Sequence, residues 1–190
     1  MGLFRLIFSA LFSSQSPSRY RIVTEERNAG SLSSPDTTRR VTYARRNDVR
    51  ALADSAAPQT RRVTILGRCF VIDGDTIMIG DARIRLAGID APELDHPYGK
   101  RAKWALITLC KGHDIHAVLE AALSHDRMVA TCYLPDGRDL SAEMVKLGMA
   151  VDWPKFSGGK YQQYERPEVR RLLWRSDSRQ KGRMPPPAPR

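Results

Sequence analysis

With 190 residues the chain has room for one ordinary domain and some to spare, but not for two. Its 42% hydrophobic and 27% charged residues suit a globular protein with a core. An excess of 31 Lys and Arg over 21 Asp and Glu gives a net charge of +10, which disfavours a cationic substrate and points to nucleic acid, an anionic membrane surface or another polyanion. Three scattered cysteines (Cys69, Cys110, Cys132) argue against a disulfide scaffold or a zinc site. The lack of a Gly-x-Gly-x-x-Gly run disfavours a dinucleotide-dependent dehydrogenase.

Residues 1–12 are apolar around a single Arg5, and the run Leu6 to Phe12 is far below the ~20 residues of a membrane span. This opening admits two readings: a secretion signal or membrane-surface anchor, or a short amphipathic segment with neither role. The single positive charge and the missing Ala-x-Ala cleavage pattern weaken the first, and Leu6 stands where a myristoylation pattern needs Ser or Thr. From 13 to 60, Ser, Arg, Ala and Pro dominate with no sustained period of 2 or 3.6. A segment with so little apolar area to bury stays loose, so 13–60 reads as a basic, flexible linker with at most one marginal helix near Asp48 to Asp54. Residues 1–60 hold nine basic and five acidic groups and 61–190 hold 22 and 16, so the folded part is basic in its own right.

Ordered structure is expected from Arg62. Val63 to Leu66 and Cys69 to Ile72 read as strand broken by Gly67; Asp73-Gly74-Asp75 is a turn, and Thr76 to Ile79 a second β-run. Gly80-Asp81 has the composition of a two-residue hairpin loop into Ala82 to Leu86, where Ile84 and Leu86 share one face and Arg83 and Arg85 the other. After a loop with Pro92 and Pro97, the spacing of Ala102, Ala105, Leu106, Leu109 and Cys110 predicts a helix ended by Gly112. His113 to Leu119 and Met128 to Leu134 read as strands. Asp139 can cap a helix with Leu140, Met144 and Leu147 on its buried stripe and Gly148 at its end. An aromatic loop, Trp153 to Tyr164, precedes a last helix opened by Pro167, and 177–190 reads as a disordered, proline-rich tail. Three strands, a helix, two more strands and then helices predict a mainly β, α+β domain over 61–176. Its expected form is a five-stranded OB-fold barrel packed by about three helices, a scaffold often used to bind nucleic acids.

The densest cluster of polar groups lies between Asp73 and Glu93, inside otherwise apolar β-sequence. Asp73, Asp75, Arg85, Asp90 and Glu93 fall at strand ends or in loops, where a rigid scaffold holds functional groups. Each has an ordinary alternative as a turn residue or a solvated face. Together they form a hard, oxygen-rich set with no Cys and no clustered His, which suits Ca²⁺ or Mg²⁺ over zinc or copper.

Val71-Ile72-Asp73-Gly74-Asp75-Thr76-Ile77 and Ile84-Arg85-Leu86-Ala87-Gly88-Ile89-Asp90-Ala91-Pro92-Glu93 resemble the staphylococcal-nuclease-like (thermonuclease) family. Asp126-Arg127-Met128-Val129-Ala130, then Asp136-Gly137-Arg138-Asp139-Leu140 and the helix ending at Gly148, are similar to its C-terminal half. The resemblance covers about residues 63–153, with three motifs in order on an OB-type barrel. It implies that Asp75, Asp90 and the Ala91 carbonyl hold calcium, that Glu93 orients or deprotonates the attacking water, and that Arg85 and Arg127 grip the reacting phosphate. Asp73 then lies behind the ligands. Ala91 replaces a threonine of the staphylococcal enzyme, a change of little consequence where only the carbonyl binds. The turn before Arg127 is shorter than usual and lacks its tyrosine; Trp153 and Tyr161 are either substitute stacking surfaces or core and lid aromatics.

The implied activity is calcium-dependent hydrolysis of single-stranded or denatured DNA and of RNA with little sequence specificity and no obligate protein partner. Membrane-surface contact through 1–12 is compatible with it. The alternative is a nuclease-like module that binds nucleic acid or protein without cutting. Retention of all five acidic and arginine positions, which degenerate members lose, weighs against that alternative.

Overall fold

The computed structural model describes residues 20–27, 37–44, 61–120 and 128–183. Its centre is a barrel of five strands: β3 (Arg61–Val71), β4 (Thr76–Ile79), β5 (Ala82–Leu86), β7 (Asp114–Leu119) and β8 (Met128–Tyr133). Short β6 (Ile89–Asp90) pairs with β9 (Val151–Asp152) outside it. β3 pairs antiparallel with β4, which pairs antiparallel with β5. β5 runs parallel to β8, with Arg85 opposite Val129. β8 returns antiparallel to β7, and β7 closes on β3 through Thr64↔Val118 to Arg68↔Asp114. The α+β OB-fold barrel expected from the strand order is therefore present. Gly67, which read as a break, lies inside β3 opposite Ile115; its weak strand preference is outweighed by pairing in the barrel.

Alternation fills the interior. Ile77, Ile79, Ala82, Ile84 and Leu86 point inward with Ile65, Ile115, Ala117, Ala130 and Cys132, all essentially inaccessible. Helix α1 (Gly99–Cys110) caps this core with Ala102, Leu106 and Cys110, and α2 (Leu140–Lys146) adds Leu140, Met144 and Val145. Asp139 caps α2 as expected, accepting a hydrogen bond from the Ser141 amide at 2.9 Å. Leu147, expected on the buried stripe, is exposed. Cys69 of β3 and Cys110 of α1 line the same surface cleft, and all three cysteines are free.

Two expectations are corrected. The stretch 13–60, read as a linker, contains two strands, β1 (Tyr20–Arg27) and β2 (Thr37–Ala44), paired with each other. β1 lies along Arg61–Leu66 of β3, the part of that strand's edge that β4, confined to Cys69–Val71, leaves uncovered. An open edge recruits a partner, and a pairing made over such a separation leaves no local period; among the described side chains of β1, Ile22 and Val23 are buried. The second correction concerns the tail. The single last helix divides at Leu173 into α4 (Val169–Leu172) and α5 (Trp174–Gln180), so ordered chain continues well past 176. Between β9 and α4 lie α3 (Pro154–Ser157) and a 3-10 turn at Gln162–Tyr164. The segment 1–12, the helix near Asp48 to Asp54, Arg127 and residues 184–190 lie outside the described residues.

Gly99 shows how tightly the first turn of α1 is pressed onto the Glu93 loop: a Cβ there would collide with the Glu93 carbonyl oxygen. Because the clash is with backbone, no rotamer change relieves it. Gly99→Ala is expected to lower stability by about 1–3 kcal/mol, read as a reduced urea midpoint at unchanged m-value.

Candidate active site

The site grows from three pieces of chain that the barrel brings to one end. The first is the turn between β3 and β4. The Asp75 amide donates to Asp73 Oδ1 at 3.0 Å, closing an Asx turn. The Asp75 carbonyl accepts from the Leu86 amide at 2.8 Å, tying the turn to the end of β5. Gly74 makes room for this turn, since a Cβ would stand 2.7 Å from that of Ala102 and 2.8 Å from that of Ala91. The second piece is β5, which turns Arg85 to the side away from Ile84 and Leu86. The third is β6 and the loop after it, carrying Asp90, Ala91 and Glu93.

Arg85 joins these pieces. Its Nη1 donates to Asp75 Oδ1 at 2.8 Å, and its Nη2 to Asp90 Oδ1 and the Ile89 carbonyl, both at 3.3 Å. Asp75 Oδ1 also accepts from Thr76 Oγ1 at 3.1 Å, and Oδ2 from the Ala91 amide at 3.2 Å. Burial pushes the Asp75 carboxyl up to about 7, reinforced by Asp73 and Asp90 and opposed by Arg85. Asp90 is fully buried, and burial raises its carboxyl too, against the pull of Arg179 and Arg85. Its Oδ2 has no hydrogen-bond partner among the described residues.

Asp75, Arg85, Asp90, Ala91 and Glu93 thus stand together as the motifs suggested. Arg127 lies outside the described residues. Tyr161 is a core residue: its hydroxyl donates to Asp139 Oδ2 at 2.8 Å and its ring packs beneath Gly88. Trp153 flanks the site, with the Arg85 Cζ 6.0 Å from its ring centre and Phe156 edge-on at 4.9 Å.

One residue was not foreseen. Arg179, on α5, donates from Nη1 to Glu93 Oε1 at 2.5 Å and from Nη2 to the Ala91 carbonyl at 3.1 Å, and the same Nη2 forms an ion pair with Asp90 Oδ1 at 3.1 Å. Its only trace in the sequence is the Asp177–Lys181 pair at i,i+4, a mark of helix inside the stretch read as disordered. What seats α5 is Arg170, which grips Glu165 bidentately at 2.7 and 2.8 Å and reaches Asp177 Oδ1 at 3.0 Å.

Among the described residues no three or more His, Cys, Asp or Glu side chains gather as a metal cluster, and no helix is long and apolar enough to cross a membrane. Two buried carboxylates beside one carbonyl are the donor set present.

A family model described as "Staphylococcal nuclease homologue" matches residues 83–171. The chain is 32% identical over 108 residues to "Succinoglycan biosynthesis protein ExoI" of Rhizobium meliloti, covering 51% of this chain and 56% of that protein. It is 32% identical over 109 residues to "Probable staphylococcal-like nuclease CAN1" of Oryza sativa, covering 57% of this chain and 30% of that one. An "Uncharacterized endonuclease" of Escherichia coli O157:H7 is 33% identical over 91 residues, 46% of this chain and 60% of the relative. The chain therefore spans only part of the length of these relatives. Barrel, motifs and matches agree that residues 83–171 belong to a domain of the staphylococcal nuclease-like family.

Proposed function

We propose that this domain hydrolyses phosphodiester bonds in DNA and RNA with little sequence preference, using calcium held by Asp75, Asp90 and the Ala91 carbonyl. Arg85 and Arg127 grip the scissile phosphate and Glu93 serves the attacking water. The observation that carries this reading is the convergence of Asp75, Arg85, Asp90, the Ala91 carbonyl and Glu93 in one network at the end of the barrel.

The residues present fit a hard divalent cation. Among the described residues, three carboxylates, Asp75, Asp90 and Glu93, stand with two guanidinium groups, Arg85 and Arg179. Asp90 Oδ2 is buried without a partner. All the donors are oxygens, and the remaining coordination falls to water, as Ca²⁺ and Mg²⁺ tolerate. A bound divalent cation supplies charge neutralisation at the phosphate and a more acidic water.

The chain's own groups do the rest. Arg85, held by Asp75 through Nη1 and by Asp90 and the Ile89 carbonyl through both N–H groups of Nη2, keeps the second N–H of Nη1 for a phosphate oxygen, on a planar, permanently charged group that lysine cannot reproduce. Because two buried carboxylates fix that fork beforehand, little reorganisation is left for the moment of reaction. Glu93, half-exposed, is the carboxylate placed to orient a water and hold its proton at Oε1 or Oε2. Trp153, partly exposed beside Arg85, offers a flat surface to the neighbouring base.

Purified protein is expected to degrade single-stranded DNA and RNA when Ca²⁺ is added and to stop on chelation. Glu93→Gln and Arg127→Ala are each expected to lower kcat about 10²–10³-fold without unfolding the protein. Folded protein that leaves both polymers intact, or variants with wild-type rates, would refute the reading. A second expectation concerns the ion-free protein. Asp75 binds its proton more tightly folded, with a pKa of about 7, than at the ordinary 3.8, so its contribution to stability is complete below 3.8 and is lost as pH rises towards about 7. In chelator the urea midpoint should fall across that window, and Asp75→Asn should flatten the fall; a wild-type midpoint that rises or stays level there contradicts the assignment.

A further inference from the structure

The contact that neither the barrel nor the motifs require is the one made by α5. Arg179 Nη2 occupies Asp90 Oδ1 and the Ala91 carbonyl, both at 3.1 Å, and these are the oxygens the proposed cation would need. Its Nη1 holds Glu93. Asp90 Oδ1 already takes Arg85 Nη2 at 3.3 Å as well, so a divalent ion drawn to this oxygen and the Ala91 carbonyl would add a further positive centre at contact distance and meet Arg179 with a repulsion that water screens poorly there.

The seat beneath α5 is poorly satisfied. Arg175 is buried with Nε and Nη1 unpartnered, and Ser176 Oγ, Arg179 Nε and Gln180 Nε2 are likewise buried without hydrogen-bond partners among the described residues. Each buried donor left unpaired opposes docking. Among the described residues the helix is held by the Arg179 pairs, by Arg170 through its bridge to Asp177 and a hydrogen bond to Gln180 Oε1 at 3.4 Å, and by a small apolar contact of Leu173 with Val151 and Val169. A helix that leans on ion pairs at the site loses that part of its hold when their counter-charges are taken.

We propose that Arg179 is a tethered cation that competes with the divalent ion for Asp90 and the Ala91 carbonyl, so that ion binding and undocking of α5 form one equilibrium. The proposal rests on the calcium reading above. The apparent affinity is then the intrinsic affinity reduced by the fraction of molecules whose Arg179 is out of the site, and a helix docked about nine times in ten weakens it about tenfold. Arg179 on this account sets cation affinity; it is not a group of the chemical step.

The test is calorimetric titration of the full chain with CaCl₂ in wild type, Arg179→Gln and Asp177→Asn, with thermal unfolding of each ion-free protein as the folding control. Arg179→Gln is expected to bind Ca²⁺ at least ~10-fold more tightly. Asp177→Asn loosens α5 without touching an oxygen of the site and is expected to shift affinity the same way by a smaller factor. In wild type, amide hydrogen exchange over 174–180 should speed up when Ca²⁺ is added. If Arg179→Gln fails to fold, Asp177→Asn and the exchange measurement decide. Equal or weaker binding by the variants, or exchange that Ca²⁺ leaves unchanged or slows, overturns the proposal and leaves the calcium reading standing. No Ca²⁺ binding by any of the three folded proteins overturns both.

Discussion

The arrangement depends on two carboxylates, Asp75 and Asp90, buried side by side at the end of the barrel. Isolated charges in that position would be untenable, because removing them from water costs far more than the fold could offset. Arg85 makes the pair tolerable, with one Nη on each carboxylate. That single bridge fixes a large part of the local geometry. It demands that the β3–β4 turn, the end of β5 and the start of β6 converge, and the backbone bonds from Leu86 to Asp75 and the Asp75–Ala91 contact are the consequence. The compensation is nevertheless incomplete. Both carboxyls remain harder to ionise than in water, and Asp90 Oδ2 is unpaired among the described residues.

The sequence made the barrel legible because its interior is written in local alternation. Ala82, Ile84 and Leu86 inward and Arg83 and Arg85 outward is a period-2 signal that needs no tertiary knowledge. The five clustered polar residues were legible for a related reason, since charge inside an apolar β-run has to be explained. Leu147 failed because a helical stripe near a C-terminus says little about how far the neighbouring chain extends over it. Tyr161 stayed undecided between core and surface until Asp139 and Gly88 appeared around it, and both lie far away in sequence or depend on how the loops pack.

What stayed hidden was of one kind. β1 holds to the barrel through an edge of β3 that β4 leaves open, and α5 through ion pairs contributed by Arg170 and by the site itself. The buried apolar side chains described for these segments are Ile22 and Val23 in β1 and Leu173 just ahead of α5, too few to write a period into the sequence. Composition alone therefore placed both among loose segments. Backbone pairing in one case and charge in the other supplied the order, and both are properties of the partner as much as of the segment.

The charge excess takes on a different meaning at two distances. Over the whole molecule +10 attracts a polyanion, but that attraction is screened within about a Debye length, ~8 Å at physiological salt. At contact range the balance differs, because among the described residues the centre holds three carboxylates and two guanidinium groups. A phosphate drawn to the surface would meet repulsion at the last step unless positive charge is added there. Basic composition and an acidic centre are thus parts of one design under the proposed function. The first supplies encounter with any nucleic acid, without regard to sequence. The second ties productive contact to a cation that the chain does not itself provide, and Arg179, a charge lent by α5, reaches the Ala91 carbonyl and Asp90 Oδ1 only by occupying them.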